Sequence, residues 1–234
     1  MKKKFAFLFI LTALTLLGGC STTTKLASES MPQSGFLPDY SLLTAMTTTN
    51  ADVRIWRYRK ADIKPGSYTA VILDPVYLNQ NATQEITQDT INQAKSALQA
   101  SMMEMIKNRG DIQIVTKPGP NVVRISVGIT GAESTNNSLQ PWNFTPVGMA
   151  LTAGTYAAGV NAKTPAMLVE SKLVDSATNI LLGEGVVTMQ GQPFRTIAGS
   201  SQSFVAMAKT IVQTSIGTYK NTSNEAVLFF LPEK

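Results

Sequence analysis

The chain has 234 residues, with 20 Lys and Arg against 15 Asp and Glu, one cysteine and no histidine. The missing histidine removes Ser-His-Asp and Cys-His catalysis and histidine-ligated zinc from what this chain can do by itself. Without residues 1–19, which carry three lysines, 17 basic residues face 15 acidic ones; the net charge falls from +5 to about +2 and gives no argument for nucleic-acid binding, which needs a clustered basic face.

Lys2, Lys3 and Lys4 make a basic start, and Phe5 to Leu17 follow uncharged and mostly apolar. This is the pattern of a secretory signal, too short to span a bilayer, which takes roughly 20 residues. Leu17-Gly18-Gly19-Cys20 comes directly after it. It resembles the lipobox of bacterial lipoproteins: Leu at −3, small residues at −2 and −1, then the cysteine whose sulfur takes the diacylglycerol. Gly18 is less usual at −2 than Ala or Ser. Cleavage is expected between Gly19 and Cys20, with Cys20 lipidated, and the mature chain then has no thiol for a disulfide. Each buried acyl CH₂ adds about 0.8 kcal/mol, so two or three chains anchor firmly. By the same resemblance, Ser21 differs from the Asp that retains such proteins in the inner membrane. The expected address is the outer membrane, facing the periplasm.

Residues 20–33 are Ser/Thr-rich without apolar periodicity and read as a flexible tether. Residues 34–43, with two aromatics and three leucines, read as a segment that docks onto the domain. Val53 to Tyr58 alternates as a short strand, and Tyr68 to Leu73 reads as a buried strand stopped at Pro75. Thr83 to Arg109 is the clearest helix, with Ile91, Ala94, Leu98, Met102, Met105 and Ile106 on one face and Gly110 closing it. Ile112 to Val115 is a short strand and Val122 to Ile129 a long half-buried one. Residues 132–164 read as an insertion. Ala166 to Val174 and Leu181 to Met189 form a hairpin around Asp175-Ser176-Ala177-Thr178-Asn179. Gln202 to Tyr219 is a second helix, and Ala226 to Leu231 a short apolar tail. The expected fold is a two-layer α+β domain over residues 34–234, with a mixed, mostly antiparallel sheet of about five strands and two helices on one face.

Beyond the lipobox, three stretches, in order, resemble the DUF3313 family of bacterial lipoproteins. They are Ser34-Gly35-Phe36-Leu37-Pro38-Asp39-Tyr40, Val71-Ile72-Leu73-Asp74-Pro75-Val76, and Pro118-Gly119-Pro120 before the long strand. The resemblance implies a localisation and a fold; it carries no established activity and no site residues.

Candidate functional residues fall into three groups. Arg54, Trp56, Arg57 and Tyr58, continued by Arg59 and Lys60, form the densest basic-aromatic cluster. It suits anionic headgroups or an acidic partner, with cation–π contacts from Trp56; the plainer reading is a solvated edge strand guarded by charge. Ser134 to Ala162 carries no charged side chain, and Ala150, Gly154 and Ala158 repeat at four-residue spacing, which permits close helix packing. An association segment, a secretion or pore element, or a loop and short helix over the sheet all fit. As one helix, residues 146–160 would rise about 22 Å, short of the roughly 30 Å hydrocarbon core. The carboxylates Asp74, Asp111, Glu170, Asp175 and Glu184 lie within strands or at their ends. Glu170 and Glu184 flank the hairpin and suit paired acid–base work on a cell-wall glycan; surface and turn charges are the plainer reading. No metal site and no cofactor is expected. The expected partners are membrane lipid through Cys20 and an envelope protein or a second copy, and the expected role is a non-enzymatic binding or assembly module.

Overall fold

The structure, a computed structural model, describes residues 26, 30–64, 66–136 and 161–217. Apart from Asn161 these lie in one compact unit, Thr23–Asn136 together with Ala162–Lys234. The other unit, Met1–Thr22 with Asn137–Asn161, otherwise falls outside the described residues.

The unit is an α+β fold built on a mixed sheet of eight strands. They are β1 (Thr44–Met46), β2 (Val53–Arg59), β3 (Ala70–Leu73), β4 (Tyr77–Leu78), β5 (Gln113–Ile114), β6 (Val122–Asn136), β7 (Lys163–Asp175) and β8 (Leu181–Gln190). The helices are α1 (Gln88–Arg109) and α2 (Ile197–Gly217). The sheet order is β1-β2-β8-β7-β6-β3-β5, with β4 also paired to β6. Strands β6, β7 and β8 form an antiparallel meander, and β2 adds antiparallel to β8. Strand β3 is parallel to both β5 and β6, and α1 is the crossover from β3 and β4 to β5. A parallel neighbour requires such a crossover.

Eight strands replace the expected five. The two with no expected counterpart, β1 and β4, have three and two residues, too few to show a period of two. The expected insertion at 132–164 also narrows. Ala132 to Asn136 and Lys163 to Thr164 are paired strand residues, running from Ala132 opposite Met167 to Asn136 opposite Lys163. Ala226 to Leu231 lies outside the described residues.

The core fills the space between the sheet and both helices. Helix α1 buries Ile91, Ala94, Leu98, Met102 and Ile106 at three- and four-residue spacing, the apolar stripe of an amphipathic helix. Its start is capped by the Thr87 hydroxyl, which accepts from the Thr90 N–H, and Gly110 ends it at φ 72°, a left-handed conformation that glycine adopts without strain. Helix α2 buries Phe204, Met207, Ala208, Ile211 and Val212. Val123, Ile125, Val127 and Ile129 of β6, Met167, Val169 and Leu173 of β7, and Val187 of β8 meet them from the sheet. Alternate residues face the other way, because side chains along a strand change sides at every step. That far face carries a second, smaller cluster of Trp56, Leu168 and Val186, covered by Leu37 and Leu43. Residues 31–43 therefore form a strap across the sheet, as the apolar content of 34–43 predicted.

Candidate functional site

Beneath and beside the strap lies a row of polar groups on otherwise apolar strands. Glu170, in the middle of β7, is fully buried at 0 % exposure. A carboxylate there is tolerated only with hydrogen bonds, and the strap supplies them. The Tyr40 hydroxyl donates to Glu170 Oε1 at 2.6 Å, and the Ser34 hydroxyl donates to Oε2. The Tyr40 oxygen in turn accepts from the backbone N–H groups of Ser34, Gly35 and Leu37, at 3.1, 2.9 and 3.3 Å. A turn of 3₁₀ helix at Tyr40–Leu42, capped by the Asp39 side chain accepting from the Ser41 N–H, fixes where the ring enters. Farther along the strap, Phe36 stacks on Tyr77 of β4 at 5.7 Å between centroids. Gly128 of β6 makes room for that pair, since a Cβ there would lie 3.1 Å from the Tyr77 ring and 3.2 Å from the Phe36 ring.

Glu184 of β8 lies opposite Lys172 of β7 on one side and Tyr58 of β2 on the other. It is 2 % exposed, and neither carboxylate oxygen has a hydrogen-bond partner among the described residues. Burial pushes its pKa up to about 7, and the charge of Asp39 adds to the shift; the charge of Lys172 pulls the other way. Glu170 and Glu184 share a face but are not directly opposed: Glu170 pairs with Val186, and Glu184 with Lys172. They are diagonal neighbours on adjacent strands, both closed off from solvent.

Toward the β7–β8 turn the strap gives way to a cavity of about 390 Å³, lined by Pro38, Asp74, Arg124, Ser126, Lys172, Val174, Asn179 and Leu181. The Ser126 hydroxyl donates to Asp74 Oδ2 at 2.7 Å. Arg124 Nε stands 3.7 Å from Asp74 Oδ1, an ion pair without a hydrogen bond, and that Nε is buried with no other partner among the described residues. Lys172 Nζ lies 6.0 Å from the Phe36 ring centroid, a weak cation–π placement.

The other carboxylates have structural roles. Asp175 caps the hairpin turn, accepting from the Ala177 and Thr178 N–H groups and the Thr178 hydroxyl, and receives the Tyr68 hydroxyl at 3.0 Å. Burial and the Asp175 carboxylate push Tyr68 up to about 12. Asp111 pairs with Arg109 at 2.9 Å. Among the described residues no group of three His, Cys, Asp or Glu side chains could hold a metal ion.

The expected basic-aromatic surface is not one surface. Arg54, Trp56 and Tyr58 alternate with Arg57 along β2, so Arg57 faces the opposite side. Trp56, at 9 % exposure, packs into the cluster under the strap, and Tyr58 packs against that cluster. Their strand is not the edge either, because β1 pairs outside it. Gly19, Cys20, Ala150, Gly154 and Ala158 lie outside the described residues, as does all of 134–162 beyond Asn136 and before Asn161. Sequence reasoning missed Ser34, Tyr40, Arg124, Ser126 and Lys172. For Arg124, Ser126 and Lys172 the available signal was polar or charged residues breaking the apolar runs of β6 and β7.

The model of a family described as protein of unknown function (DUF3313) matches residues 32–214. The chain belongs to the DUF3313 family. The matched span begins at the start of the strap, one residue inside it, and ends within α2, so the family's shared part contains both the sheet and nearly all of its cover. A relative, the uncharacterized lipoprotein YdcL of Escherichia coli K12, is 25 % identical over 177 residues, covering 75 % of this chain and 77 % of that protein. Among solved structures, the PelC dodecamer of Paraburkholderia phytofirmans is similar with a TM-score of 0.36 at 11 % identity, over 68 % of this chain and 96 % of that one. A putative neuraminyllactose-binding hemagglutinin homolog of Helicobacter pylori gives 0.38 at 10 % identity, over 70 % and 88 %. Protein XCC0632 of Xanthomonas campestris gives 0.39 at 10 % identity, over 67 % and 88 %. No described helix is long and apolar enough to cross a membrane.

Proposed function

We propose that this chain is a lipid-anchored envelope protein, acylated on Cys20 and held on the periplasmic face of the outer membrane, where it works as a non-enzymatic binding or assembly module. The observation that carries the reading is the sole cysteine standing at the end of Leu17-Gly18-Gly19-Cys20 after a basic start and an apolar run. The relative named as a lipoprotein supports the anchor. Glu170 supports the non-enzymatic part: its carboxylate is engaged in holding the strap. Metabolic labelling with an alkyne palmitate analogue, followed by density separation of the membranes, tests the anchor. Label and outer-membrane density in the natural chain, both lost in Cys20→Ala, are the expected result; an unlabelled chain in the soluble fraction overturns it. Crosslinking in intact cells tests the module, and a discrete partner or homo-oligomer is the expected product.

A second reading, a cell-wall hydrolase or glycan binder using paired carboxylates, draws support from Glu170 and Glu184 sharing one face. It requires substrate to reach two side chains that are at most 2 % exposed. Unchanged glycan turnover in a Glu170→Gln, Glu184→Gln double variant removes it.

A further inference from the structure

We propose that the cavity between the strap and the β7–β8 turn is a binding site for a small oxyanion, the carboxylate or phosphate group of a solute, held by Arg124 and Lys172. The cavity, about 390 Å³, has the size of a small-molecule cleft. Two cations line it against one carboxylate, Asp74. That carboxylate already accepts from Ser126, and its approach to Arg124 stops at 3.7 Å, beyond hydrogen-bonding reach. The Arg124 side chain lines the cavity and is 39 % exposed, and its planar fork matches the geometry of carboxylate and phosphate oxygens. Lys172 adds a point charge from the neighbouring strand, directly opposite Ser126 in the register. Pro38 and Leu181 give the cavity apolar walls, and Asn179 adds an amide at the turn.

Glu184 modulates the site from beside it. Lys172 and Glu170 of β7, Tyr58 of β2 and Asp39 of the strap are the titratable groups set around it. When Glu184 carries a proton, Lys172 is free to serve the cavity; when Glu184 ionises, part of the Lys172 charge is answered from within the sheet. Anion binding therefore weakens as pH rises through about 7, the value to which burial pushes Glu184.

Titration of the full folded domain with sulfate and, separately, acetate, followed by the amide signals of Ser126, Lys172 and Asn179, tests the site. Sulfate stays doubly charged across the range, so any pH dependence belongs to the protein. Saturable shifts confined to these amides are expected. Tighter sulfate than acetate assigns the site to phosphate-like groups, and the reverse assigns it to carboxylates. Arg124→Gln and Lys172→Gln are each expected to weaken binding about ten-fold, the scale of one lost charge-assisted hydrogen bond. Asp74→Asn removes the competing charge and is expected to tighten binding, an outcome that a merely damaged fold cannot give. Glu184→Gln is expected to abolish the pH dependence while leaving binding in place. No saturable shift with either ion, or shifts unaltered in Arg124→Gln and Lys172→Gln, overturns the proposal.

Discussion

Tyr40 donates to Glu170 across 130 residues of sequence, at 2.6 Å, and this contact ties the strap to the centre of the sheet. A hydrogen bond to a buried charge contributes about 1.5–3 kcal/mol, and losing it leaves part of the desolvation cost of the carboxylate unanswered. Tyr40→Phe is therefore expected to lower stability by about 2 kcal/mol in urea denaturation. Because the ring oxygen also accepts from Ser34, Gly35 and Leu37, their amides should exchange faster in the variant, while those of β6 to β8 keep their protection relative to global unfolding.

Glu184 makes stability depend on pH in an unusual direction. Its folded pKa, about 7, is above the ordinary value of 4.5, so the folded state holds the proton more tightly than the unfolded chain. Its contribution is fully favourable below about 4.5 and is lost as pH rises to about 7. Glu184→Gln should flatten that part of the profile and stabilise the protein at pH 8 by about 1–3 kcal/mol. Chemical denaturation at pH 5, 6, 7 and 8 measures it; a parallel decline in both proteins contradicts the assignment.

Gly128→Ala probes the aromatic end of the strap. The new methyl would press on Tyr77, Phe36 and the Thr130 methyl at 3.1–3.2 Å, so the stacked rings must give way. A loss of about 1 kcal/mol is expected from overpacking, together with faster proteolysis within residues 34–43 and a weakened tyrosine signal in near-ultraviolet circular dichroism.

Phe204→Ala acts on the other layer. Phe204 is fully buried between α2 and the sheet, and its truncation should cost about 3–5 kcal/mol. Strap and core variants are then distinguishable: this one loses global stability, whereas Tyr40→Phe also loosens the strap amides selectively.

Long elements with a clean period were legible. The stripe from Ile91 to Ile106 and the alternation from Val123 to Ile129 each reflect one buried face, and both appear where expected. Strands of two or three residues carry no period, so β1 and β4 escaped notice. The docking of residues 34–43 was legible from their apolar content, but not where they dock, because that depends on which strand face the helices leave uncovered. Glu170 and Glu184 were singled out as strand carboxylates. Their partners were not, since Ser34 and Tyr40 meet Glu170 only after the sheet has assembled. Trp56 lies under the strap rather than on a shared basic surface, because the pleat sends Arg57 to the opposite side and the strap covers the face that Trp56 occupies.

The order of the sheet has a consequence for crowding. Among the described strands, the longest, β6, β7 and β8, are central, and the sheet ends on β1 and β5, of three and two residues. A border that short offers a neighbouring molecule almost no ladder of free backbone groups to extend. Under the anchoring proposed above, which would confine molecules to a plane and raise their encounter rate, these truncated borders would let copies lie side by side without zipping into a continuous sheet.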